Sequence, residues 1–348
     1  MNIILWNIKF IDNQNNNSIN YIYNIFPHKI IDDAYCSTET ENSFIVINSI
    51  NGDSFIIYTT SNKSIISYNL SKKRIDKENK TAHSSYISSL QYYFEKYNNQ
   101  EIIMSLSYLD NNLKIWTFKN WQCLINAKNF YSFGYLYSAN IFNYKKKDYF
   151  IISNFANNNS DYIHRLKVYN FKGRQYKLNQ TINDSNYNTL LVKTFMYQNK
   201  LFIVSCGDEI IRSYNFDRNE LYKKYDDNIK MNCKIFSFII FNKEEKVRII
   251  SSCDDKNIRT WNFIIGELLN KIEIDCFKLR GINLYDEKYL LVGCGDNTIK
   301  LVDLENSLIL KSVEGHVKKV TTIKIENIKN IGKCIFSHGY DDKIILWK

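Results

Sequence analysis

The sequence predicts an all-β chain folded as a seven-bladed β-propeller of four-stranded antiparallel blades, closed by a strand from the N-terminus. Three observations predict it. A turn rich in Asp or Asn, followed by alternating apolar residues ending in an aromatic, recurs as SNKSIISYNL (61–70), LDNNLKIWTF (109–118), IHRLKVYNF (163–171), GDEIIRSYNF (207–216), DDKNIRTWNF (254–263), GDNTIKLVDL (295–304) and YDDKIILWK (340–348). The residues in the terminal slot are Tyr68, Trp116, Tyr169, Tyr214, Trp261, Val302 and Trp347, spaced 41 to 53 residues apart, which is the period of a propeller blade. Each unit also holds four short runs that alternate with period two, as in CKIFSFIIF, VRIISSC, NIRTWNF and GELLNKIEI around the fifth copy. That alternation is the mark of a strand with one face buried.

Length and composition agree with one large β domain over 1–348, with repeats ending near 70, 118, 171, 216, 263, 304 and 348. A hydrophobic fraction of 45% supplies a sizeable core. The single proline, Pro27, the 11 glycines and the runs Asn15 to Asn17 and Asn157 to Asn159 fit a drift toward AT-rich codons. The net charge of +10 could favour nucleic acid, an anionic surface or an acidic partner, but general overuse of lysine gives the same number. There is no 18-residue apolar run, and the start MNIILWNIKF has neither a basic n-region nor a cleavage site. An intracellular location, cytoplasmic rather than nuclear, is therefore expected. Eight cysteines without a CxxC pair read as free thiols rather than a disulfide framework or zinc module.

The last copy contains Gly315-His316, then Ser337, Asp341 and Trp347, and in this it resembles the WD-repeat family. The resemblance covers the chain from about residue 43 onward. It implies a hydrogen-bonded tetrad of His316, Ser337, Asp341 and Trp347 that ties the loop before a blade's first strand to the turn between its second and third. A buried Asp needs donors, which an imidazole N–H, a hydroxyl and an indole N–H provide. Asp110, Asp208, Asp255, Asp296 and Asp341 all stand six residues before the slot, with Asn62 in the first copy. The resemblance extends the tetrad to Ser251, Asp255 and Trp261, and to His83, Asp110 and Trp116. Gly-His occurs once, and Trp fills three slots of seven, so the tetrad is not expected in every repeat.

The last repeat ends after its third strand, so its fourth is expected from residues 1–35, where Ile3 to Ile11, Ile19 to Phe26 and Lys29 to Tyr35 all read as strands. An eighth blade built from these runs is the alternative.

Among candidate sites, Cys206, Cys253 and Cys294 lie eight residues before the slot in successive repeats. Buried core positions are the expectation, a three-thiolate metal site the alternative. His83 and His316 fit the tetrad better than catalysis, and no nucleophile elbow, phosphate loop or carboxylate pair is recognisable, so no enzyme, cofactor or metal is expected. The turns after first and third strands share one face, which would collect Lys72, Lys73, Arg74, Lys145, Lys146 and Lys147 as a basic patch. On the opposite face Phe130, Tyr131 and Phe133 are candidate partner contacts, packing beneath the loop as core being the alternative, with Leu109, Asp254 and Tyr340 on the same rim. The expected function is a non-catalytic protein-binding scaffold in a multiprotein complex. RNA or ribonucleoprotein association through the basic face and a ubiquitin-ligase substrate receptor are the alternatives.

Overall fold

The computed structural model describes residues 27–32, 34, 43–128, 130, 135–155, 165–183, 189–207, 210–227, 233–243, 246–276 and 278–347. These residues form seven four-stranded antiparallel sheets, each in simple up-and-down order apart from the one that closes the ring. The first strands are Phe44–Asn48, Ile87–Glu95, Tyr135–Tyr144, Thr189–Tyr197, Ile235–Lys243, Leu279–Leu284 and Val320–Ile328. First strands of neighbouring blades contact one another, which places them around the central axis. The repeated pattern of the sequence is the third strand, for example Leu113–Thr117 in blade two and Asn257–Asn262 in blade five. The repeat ends read from the sequence therefore fall between third and fourth strands, and each blade finishes one strand later.

Blade seven is completed by Pro27–Ile31, which pairs antiparallel with Ile344–Trp347. The third of the three N-terminal runs thus overlaps the closing strand, which starts two residues earlier and ends four residues earlier than read. The runs 3–11 and 19–26 lie outside the described residues. The register skips one residue of the closing strand between Pro27, opposite Trp347, and Lys29, opposite Leu346. The same β-bulge sits at the slot residue in the other six blades, between Ser67 and Tyr68, Thr260 and Trp261, or Leu301 and Val302. A bulge sharpens strand twist, so the borrowed strand takes the geometry of a native fourth strand.

The closure is fastened by His338, which the sequence pattern did not single out. Its Nε2–H donates to the Ala34 carbonyl at 2.7 Å, and its Nδ1 accepts from the Ser43 hydroxyl at 2.6 Å. The ring lies edge-on to Phe44. Desolvation holds its pKa down at about 4 against an ordinary 6.5. The unfolded chain therefore binds a proton that the folded chain refuses between those values, and stability falls as the pH drops from about 6.5 to about 4. We expect this single group to cost about 3 kcal/mol across that window. Chemical denaturation at a series of pH values should show the slope, and His338→Gln, which keeps a donor for Ala34, should flatten it.

The core lies between blades. Phe263, fully buried at the end of the third strand of blade five, meets Phe195, Phe202, Tyr222 and Tyr225 of blade four. Between blades one and seven, Phe44, Ile56 and Tyr58 pack with Phe336, Ile344 and Leu346, together with Ile31 and Ala34 of the closing segment. Each blade buries its neighbour's face, and a missing blade or strand exposes two.

Candidate interaction rim and its supports

Antiparallel order sends the second-to-third turns and the loops entering first strands to one face. Among the described residues two complete tetrads brace that face. In blade seven His316 Nδ1 is 2.9 Å from Asp341 Oδ1, His316 Nε2 is 2.7 Å from Ser337 Oγ, and Trp347 Nε1 donates to the same Oγ at 2.7 Å. Roles are satisfied in one direction only: indole N–H to Ser oxygen, Ser O–H to Nε2, and Nδ1–H to carboxylate. Blade two repeats this with His83 Nε2 to Ser105 at 2.7 Å, Trp116 to Ser105 at 2.8 Å and His83 Nδ1 to Asp110 at 3.3 Å. Burial lowers the His83 pKa and keeps the ring neutral. Against the desolvation that burial imposes, hydrogen bonds from His83, Ser107 and the Ser84 N–H hold Asp110 well below the usual carboxylate range.

Blade five departs from the expected tetrad. Trp261 still donates to Ser251 at 3.2 Å, but Asp255 receives a fork from Arg259, with Nη1 at 3.1 Å and Nη2 at 2.5 Å. Arg259 also reaches Asp227 at 3.0 Å. A bidentate guanidinium takes the place of the imidazole, because Arg supplies parallel donors matched to a carboxylate. Arg259 stands two residues before the slot, where Lys114, Lys167, Arg212 and Lys300 stand in blades two, three, four and six. Lys114 donates to the Ala82 carbonyl at 2.6 Å, and Lys167 donates to that of Phe130. In those blades the basic residue fastens the incoming loop to the third strand. This repeat of basic residues is present in the sequence and is masked there by the abundance of lysine.

The cysteine pattern resolves differently from its spacing. Cys206 pairs with Ile211, whereas the residue opposite the matching Ile258 in blade five is Ser252. The blade-four hairpin is one residue short, and a one-residue slip sends a side chain to the other side of the sheet. Cys206 accordingly points to the Ile235 carbonyl as Ser252 points to that of Arg280. Cys253 and Cys294 do occupy equivalent places, and each lies against a second cysteine of its own blade.

Of the predicted partner contacts, Phe130 is core: it is 4% exposed and edge-on to Phe150 and Tyr169. Its place at the foot of the incoming loop lets it plug the gap between blades two and three. Tyr131 and Phe133 lie outside the described residues. Asp254 is half-buried and accepts from the Lys234 N–H at 2.8 Å, and Tyr340 is half-buried beside Lys319. Leu109 is 55% exposed. Next to it is a cluster the sequence reading missed: Tyr108 stacks on Tyr135 with centroids 4.6 Å apart and meets Tyr137 edge-on, and Tyr86 and Tyr135 are exposed. Backbone bonds from Tyr108 N–H to Tyr86 and from Leu136 N–H to Tyr108 hold the cluster across blades two and three.

The opposite face is mixed in charge. Lys72 pairs with Asp53 at 3.0 Å and Lys145 with Asp217 at 2.9 Å, while Lys73, Arg74, Lys146 and Lys147 are exposed. Lys243 pairs with Glu287, and Lys288 lies near Asp303 and Glu305. The basic turns of one blade thus meet acidic turns of the same or the next, so two of the six residues assigned to a basic patch are neutralised.

Comparison of the chain with protein-family models finds no match, and comparison with curated proteins finds none. Among the described residues no helix is long and apolar enough to cross a membrane.

Proposed function

We propose that this propeller is a WD-repeat-type, non-catalytic, intracellular scaffold that docks a protein partner on the Tyr108–Leu109–Tyr135 rim. The observation that carries the reading is the stacked, partly exposed tyrosine pair beside an exposed leucine, locked in place by backbone hydrogen bonds. Tyr rings offer large amphipathic contact area with few rotors, and a preorganised patch loses little freedom on binding. The tetrads in blades two and seven and the Arg259 fork keep the same face rigid.

The test is quantitative affinity purification of the wild-type chain, of Tyr108→Ala/Leu109→Ala/Tyr135→Ala, and of Lys145→Glu/Lys146→Glu/Lys147→Glu. A partner recovered in stoichiometric amount with the wild type should fall about tenfold or more with the rim variant. It should be retained by the charge-reversal variant. Recovery unchanged by the rim variant, or lost only with the lysine variant, would sink the reading; the second result with RNA in the eluate would favour the nucleic-acid alternative.

A further inference from the structure

Two neighbouring blades carry the same buried constellation. In blade five the Sγ atoms of Cys233 and Cys253 and a carboxylate oxygen of Asp255 lie within 4.8 Å of one another, and in blade six Cys276, Cys294 and Asp296 do the same. All four thiols are buried and free. Cys253 and Cys294 occupy the place of Gly339 in blade seven, opposite the first residue of the first strand. A Cβ on Gly339 would stand 2.8 Å from both His316 Nδ1 and Asp341 Oδ1, so blade seven has no room for a side chain there, whereas blade two keeps its imidazole beside Ser107 at the matching place. In blades five and six the incoming loop brings a second thiol, that of Cys233 or Cys276, against the cysteine at that place. Two thiols beside the hairpin aspartate, found in two successive blades, make a recurrent set of soft donors with one carboxylate.

We propose that Cys233, Cys253 and Asp255, and separately Cys276, Cys294 and Asp296, each bind one Zn²⁺ ion. Tetrahedral Zn²⁺ with Zn–S of about 2.3 Å and Zn–O of about 2.0 Å needs ligand atoms about 3.5 to 3.8 Å apart, so atoms now within 4.8 Å of one another close by about 1.3 Å at most. Two thiolates with one carboxylate suit a borderline-soft ion and not Mg²⁺ or Ca²⁺. Binding expels the two thiol protons to solvent. Two thiolates, one carboxylate and the ion sum to one negative charge, which Arg259 balances in blade five and Lys300, 3.3 Å from Asp296, balances in blade six. Water takes the fourth position on the side where Asp255 and Asp296 reach solvent, their side chains being 28% and 35% exposed.

The full chain, purified under reductant, stripped with a chelator and exchanged into Zn²⁺ or Co²⁺, should retain two equivalents of metal. It should also develop thiolate-to-cobalt charge-transfer absorption, a readout that needs no variant. Cys233→Ser should lose one equivalent, Cys233→Ser/Cys276→Ser both, and Cys123→Ser, altered at an exposed thiol outside both clusters, neither. Circular dichroism checks that the variants are folded. No retained metal and no charge-transfer band in the wild type would overturn the proposal, as would retention undiminished in Cys233→Ser/Cys276→Ser. A wild-type chain that takes up no metal but loses two mass units per pair with glutathione disulfide would assign these thiols to disulfide chemistry instead.

Discussion

Deleting residues 1–35 should abolish the cooperative unfolding transition. The deletion removes Pro27–Ile31 and leaves Ile344–Trp347 as an open edge with an unpaired row of backbone donors and acceptors. It also removes Ile31 and Ala34 from the cluster between blades one and seven, and strips the acceptor from His338 and the partner of the Asp342 carbonyl. Burial of one isoleucine contributes about 1.5 to 3 kcal/mol, and each orphaned buried polar group costs about 1 to 3 kcal/mol. Together these approach the net stability of about 5 to 15 kcal/mol typical of a domain. A chain beginning at Pro27 separates the closing strand from the residues before it. Thermal melting followed by circular dichroism is the measurement, and a melt of the 1–35 deletion that matches the full chain would show that closure does not hold the ring.

The period, the third-strand pattern and the need for a borrowed strand were legible because each rests on chain-local alternation or on counting. The slot residue shows why. Tyr, Trp and Val all serve, since what the position requires is an apolar group inside the bulge shared by every blade, and Val302 is as buried as Trp261. Chemistry that depends on which loop reaches which turn was less legible. Asp255 stands at the tetrad offset but belongs to Arg259, because the partner is chosen across space by whichever donor the incoming loop leaves room for. Cys206 misled through spacing alone, since a hairpin one residue short changes facing without changing the count to the slot. Phe130 was open to two readings, exposed anchor or core beneath the loop, because aromatic loops read alike whether they cap a core or face water, and its contacts with Phe150 and Tyr169 decide for core. The Tyr108–Tyr135 stack joins residues 27 positions apart in two blades, which no local window contains.

His316→Ala should destabilise the propeller by about 3 to 5 kcal/mol, the range for stripping a partner from a buried charge. The Asp341 side chain is 2% exposed and would be left with backbone donors such as the Val317 N–H, at 3.0 Å. Ser337 would lose the acceptor for its hydroxyl proton while still receiving the Trp347 N–H. His83→Ala should cost less, because Asp110 is more exposed and retains the Ser84 N–H at 3.1 Å and the Ser84 hydroxyl at 3.0 Å. Burial works against ionisation of Asp341, and the His316 hydrogen bond overcomes it to hold the carboxyl below its ordinary value. That part of the stability is present above the ordinary carboxylate range and is lost as the pH falls through the depressed value. In His316→Ala the depression should vanish, so the penalty of the substitution should shrink in acid. Equilibrium denaturation of the wild type, His316→Ala, Asp341→Asn and the double variant would measure the coupling directly. Because both side chains belong to one hydrogen-bonded chain, the double variant should be less destabilised than the two single effects added together. Strict additivity would mean that the imidazole and the carboxylate act independently, and that blade seven is held by packing around Trp347 alone.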